Sequence, residues 1–92
     1  MFEWHLDKAE ANLAKHGVSF EDAIECFDGF LLEHEDQRES YGELRIFALG
    51  TVGGVTLAIV YTYRGNRIRI ISARKATRHE RKTYIEAARG KG

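Results

Sequence analysis

At 92 residues the chain has room for one small domain and not for two. Hydrophobic residues at 43% and charged residues at 30% give a globular composition, and no apolar run approaches the ~20 residues of a membrane span. The net charge of zero hides a division: four basic residues face twelve acidic ones up to Tyr63, and ten basic face two acidic ones from Arg64 onward. That asymmetry points the second half toward nucleic acid or another polyanion, unless the halves pair with each other across the fold.

Residues 1–7 are aromatic and acidic, unlike a secretory leader, and Phe2 with Trp4 forms either a short strand or a packed arm. Asp7 reads as the N-cap of a helix over 8–16, closed by Gly17 in a left-handed conformation. Ala9 and Leu13, four apart, face a core, while Lys8, Asn12, Lys15 and His16 share the opposite side. Ser19 with Asp22 three residues later is a capping-box spacing for a second helix over 20–27, with Ala23, Ile24 and Phe27 inward. Its Cys26 is the sole cysteine, which excludes an internal disulfide framework and a cysteine zinc site and makes a reducing cytoplasm the expected location. The pair Asp28-Gly29 ends that helix.

From there the hydrophobic period changes to alternation. Strands are predicted over 30–33, 44–49, 55–63 and 68–73, with a polar, acidic loop over 35–42 and turns at 50–54 and 64–66. Short turns make neighbouring strands antiparallel, and apolar residues on both faces put the last two at the sheet centre. Thr77 and Glu80 form another capping box, opening a helix from Arg78 to about Ala88. Arg78, Arg81, Lys82 and Arg89 share one side of it with Ile85; Tyr84, Ala87 and Ala88 form the more apolar edge, and 90–92 is a frayed end. The expectation is a single α+β domain over 1–92, with two N-terminal helices, a four-stranded antiparallel sheet and a C-terminal helix, the helices on one side of the sheet.

These residues, in this order, resemble a known family. Asp7-Lys8-Ala9 with Asn12-Leu13, the run from Lys15-His16-Gly17 to Glu21-Asp22-Ala23, Gly42-Glu43 with Arg45, Val60-Tyr61-Thr62, the run from Arg69 to Ala76, and Glu80-Arg81 with Tyr84 are similar to the BrnT toxins. The resemblance implies a RelE/ParE-like fold and a ribonuclease toxin of a type II toxin-antitoxin pair that inhibits translation. It also implies a BrnA-like antitoxin partner, through whose complex operator DNA is bound, in a dimer or heterotetramer.

Metal-free RNA cleavage needs a base for the 2′-hydroxyl, cations for the phosphorane and an acid for the leaving oxygen. Arg74 at a strand exit and Arg81 in the last helix are the leading cations, followed by Arg45, because the guanidinium fork matches two phosphate oxygens. Arg74 has an alternative, an ion pair within the fold. Glu80 and Glu43 are candidate bases, although Glu80 also has its capping task. Lys8, Arg78, Lys82 and Tyr84 are candidate RNA contacts; the default for Lys8 is a solvated helix face. The histidines His5, His16, His34 and His79 are scattered and show no zinc-like spacing, and no metal or cofactor is expected. The rival to an enzyme is a non-catalytic module that binds protein or DNA through the basic C-terminal segment.

Overall fold

Hydroxyl caps and glycines set the helix and hairpin ends in the computed structural model, which describes residues 1–38, 40 and 42–90. In chain order the elements are β1 (Phe2–Glu3), α1 (Leu6–His16), α2 (Phe20–Glu25) continuing as a 3₁₀ turn (Cys26–Asp28), β2 (Leu32–Glu35), β3 (Ile46–Val52), β4 (Val55–Arg64), β5 (Arg67–Lys75) and α3 (Arg78–Gly90). Ser19 accepts from the Asp22 amide as predicted, and Gly17 closes α1 with φ 70°. His5, not Asp7, occupies the N-cap of α1; Asp7 lies in the first turn, where its charge suits the helix dipole. The predicted frayed end falls partly outside the described residues, since α3 runs through Gly90 and 91–92 are not among them.

The sheet has five strands in the order β1-β5-β4-β3-β2, and it is mixed. The expected antiparallel meander of four is present, but β1 adds a parallel edge, pairing Phe2 with Ile68 and Glu3 with Arg69. Two residues carry no alternation to read, and Glu3 reveals its place only by the 2.6 Å ion pair with Arg69. Strand β2 starts two residues later than predicted. Gly50 lies inside β3, and the hairpin turn is left to Gly53 and Gly54, whose φ values of 56° and 80° need glycine.

The helices cover both faces, contrary to the one-sided expectation. On one face α1 and α2 bury Phe20, Ala23, Cys26, Ala48, Leu57, Ile59, Tyr61, Ile70 and Ala73. On the other, α3 packs Tyr84 against Leu49 and Ala58. Burial and the nearby carboxylates Asp22 and Glu25 push the Cys26 thiol up to about 11, so it serves as an apolar packing group.

Two details anchor this arrangement. Asn12, expected on the solvent side of α1, is buried: its amide nitrogen donates to the carbonyls of Val18 (2.9 Å) and Ala73 (2.7 Å), and its oxygen accepts from the Ala73 amide (3.1 Å). Leu13, expected inward, is 52% exposed. A side-chain amide that matches the backbone of β5 thus outweighs a leucine for the inner position, since each buried peptide group left unmet costs ~1–3 kcal/mol. In β5, Val60 of β4 pairs with Ser72 and Tyr61 with Ile70, leaving Ile71 as the extra residue of a bulge. Ile68, Ile70 and Ala73 all join the α1/α2 core as a result, while Ser72 and Arg74 turn to the α3 side.

Candidate functional site

Strand β5 delivers Arg74 to the α3 face just before the chain enters that helix. There its guanidinium meets Glu80 fork to fork, Nη1 to Oε1 at 2.8 Å and Nη2 to Oε2 at 3.0 Å. Glu80 also accepts from the Thr77 amide at 2.9 Å, and Thr77 Oγ1 accepts from the Glu80 amide at 3.1 Å, which completes the predicted capping box. The hydrogen bonds from Arg74 lead, against the opposing effect of burial, in drawing the Glu80 carboxyl down to about 2. A carboxylate held in this way is a weak proton acceptor at neutral pH, so its geometry suits positioning Arg74 and not the base role expected of it.

Arg74 borders two adjoining depressions. The larger, about 370 Å³, is lined by Leu32, His34, Asp36, Gln37, Arg38, Phe47, Leu49, Arg74, His79, Glu80 and Thr83. The smaller, about 140 Å³, is lined by His16, Arg38, Phe47, Ala58, Val60, Ser72, Ala73 and Arg74. Arg38, Phe47 and Arg74 belong to both. Arg38 is held by the buried Asp36, with Nε and Nη2 each 2.8 Å from a carboxylate oxygen, and its positive charge repels that of Arg74. Each guanidinium is paired with a carboxylate of the same lining, Arg38 with Asp36 and Arg74 with Glu80, so the four groups balance in charge around a common space.

Three histidines from distant positions line these depressions. His34 stacks on Phe47 with ring centroids 5.1 Å apart, and its Nδ1 lies 3.0 Å from the Glu35 carbonyl. A carbonyl accepts, so Nδ1 donates, and in the neutral ring Nε2 is then the acceptor. His79 stands in the first turn of α3 and His16 at the end of α1. They were not singled out from sequence because they come from three elements with no common spacing; Arg38 and Asp36 lay in the acidic loop for the same reason. Among the described residues, no three His, Cys, Asp or Glu side chains gather as a metal-ligand set.

Other expected residues lie elsewhere. Arg81 lines a shallow outer surface of α3 with Arg78, Lys82, Ile85, Glu86 and Arg89, so it does not converge with Arg74. Arg45, just before β3, lies 3.3 Å from Glu43 and lines neither depression. Lys8 is exposed on α1, across the sheet from α3. Tyr84 is buried with its hydroxyl donating to the Phe30 carbonyl at 2.8 Å, which takes it out of reach for stacking on RNA bases. Arg67 and Arg69 are drawn to Glu3.

A family model described as "Ribonuclease toxin, BrnT, of type II toxin-antitoxin system" matches residues 4–80, a span that takes in every lining residue of both depressions except Thr83. No curated protein matches the chain.

Proposed function

The chain belongs to the BrnT ribonuclease toxins of type II toxin-antitoxin systems, a membership that implies an antitoxin protein partner, and we propose that it is an endoribonuclease working in the groove formed by the two depressions. The observation that carries this reading is the fixed Arg74 guanidinium facing Arg38, with imidazoles from three elements around them. In the proposed reaction the scissile phosphate lies between Arg38 and Arg74. His34 Nε2 takes the 2′-hydroxyl proton, and the 2′-oxygen attacks phosphorus. The bond to the 5′-oxygen breaks as His79 supplies that oxygen with a proton, leaving a 2′,3′-cyclic phosphate and a 5′-hydroxyl. Arg74 stabilises the charge of the phosphorane and Glu80 positions Arg74. Every step is assigned to a side chain, so the reaction needs no metal ion. Messenger RNA cleavage in the cytoplasm then inhibits translation. A BrnA-like antitoxin neutralises the chain in a heterotetramer and carries the complex to operator DNA.

Purified chain mixed with RNA tests the proposal. Arg74→Ala and His34→Ala are each expected to lower the cleavage rate ~100–1,000-fold, with circular dichroism unchanged. RNA that stays intact under excess toxin overturns it. A second reading, a non-catalytic docking module, is favoured by Ile85, 40% exposed within the basic surface of α3; intact RNA together with tight partner binding would decide for it.

A further inference from the structure

Phosphate binding and proton transfer occupy the rim of the larger depression and leave its interior unused. That interior is apolar, floored by Leu32 and Leu49 beside the Phe47 ring, on neighbouring positions of β2 and β3 that face α3. Its edge is polar, with Gln37 and Thr83 able to donate and accept. Its volume of about 370 Å³ falls within the usual range of ~300–1,000 Å³ for small-molecule pockets. A phosphate leaves such a floor unfilled. A flat, apolar group with hydrogen-bonding edges, tethered to a phosphate at one end, meets each requirement.

We propose that the larger depression is a nucleobase subsite. A base of single-stranded RNA lies on the Phe47, Leu32 and Leu49 floor, its edge meets Gln37 and Thr83, and its nucleotide's phosphate lies between Arg38 and Arg74. The sugar-phosphate chain continues through the smaller depression past Ser72. Only a base free of a duplex can enter, so the toxin selects unpaired RNA and the subsite biases which bonds are cut. This rests on the ribonuclease reading above and adds a specificity site to it.

The test is a titration of the full chain, followed by NMR, with each of the four ribonucleoside 3′-monophosphates and with ribose 5-phosphate, which has no base. At least one nucleotide is expected to bind tenfold or more tighter than the sugar phosphate, as burial of a base against an apolar floor allows. Thr83→Trp, which fills the depression from the exposed side of α3, is expected to reduce that ratio to below twofold while ribose 5-phosphate binds as before. Phe47→Leu, a second variant independent of α3, is expected to lower it several-fold. Equal affinity of nucleotides and sugar phosphate for the unmodified chain overturns the subsite. Mapping the cut sites in an RNA of mixed sequence separates the two readings. Arg74-dependent cleavage indifferent to base identity at every position removes the subsite and leaves the ribonuclease. Base-dependent binding without cleavage does the reverse.

Discussion

Glu80 shows how much one carboxylate does here: it caps α3 and holds Arg74 square to the groove. Its carboxyl, drawn from an ordinary 4.5 down to about 2, contributes stability that is fully present above pH 4.5 and lost as pH falls toward 2. Urea midpoints across that window are expected to fall for the unmodified chain and to fall less for Glu80→Gln, which has no carboxyl to protonate at this position. A cleavage rate for Glu80→Gln that drops while RNA affinity holds would mark a positioning role. The capping half of Glu80's role was legible in the spacing Thr77-x-x-Glu80. The pairing half was only an alternative for Arg74, because the face Arg74 takes depends on a bulge. Asn12 was misread for a similar reason: its partner, Ala73, lies 61 positions away, and helical periodicity records polarity without recording partners.

Among the elements, the central strands were legible because their alternation is long and their turns carry glycine. β1 was legible only as one of two readings of Phe2 with Trp4, since two residues have no period. Gly50 shows how local composition misleads: its nearness to Gly53-Gly54 suggested a turn, yet it lies where the 3₁₀ turn crosses β3. A Cβ there would stand 2.7 Å from Leu31 Cδ2 and 2.9 Å from Cys26 Cβ, so the glycine is there for space. Gly50→Ala is expected to destabilise the fold by ~1–3 kcal/mol, read as a lower thermal midpoint, whereas a true turn position with negative φ would have tolerated alanine.

For the whole molecule, the order of elements predicted an α+β domain, but the sides of the sheet on which the helices pack depend on contacts that order does not encode. The charge division resolves into two parts. Arg67 and Arg69 are drawn to Glu3 of the acidic half, whereas Arg78, Arg81, Lys82 and Arg89 form no ion pair with a carboxylate among the described residues. If that outer surface of α3 tethers the RNA backbone, Arg81→Ala with Lys82→Ala should weaken binding and reduce the slope of log affinity against log salt by ~0.7 per cation lost, with turnover at saturating RNA preserved. Turnover that collapses with RNA still bound would instead return Arg81 to the reacting phosphate. The bulge at Ile71 ties the two layers of the molecule together. Ordinarily a strand is a two-beat rhythm, and Ile71 is one extra beat within it. Counted into that rhythm, Ile71 would put Ser72 and Arg74 in step with Ile68 and Ile70 and send a cation made for the groove toward the core; set aside as a bulge, or deleted, it leaves Ala73 in step with them and Arg74 on the α3 side. The expected readout is folded protein, by circular dichroism, from Ile71 deletion as well as from Ile71→Val. The residue left out of the count thus keeps every later one at its address.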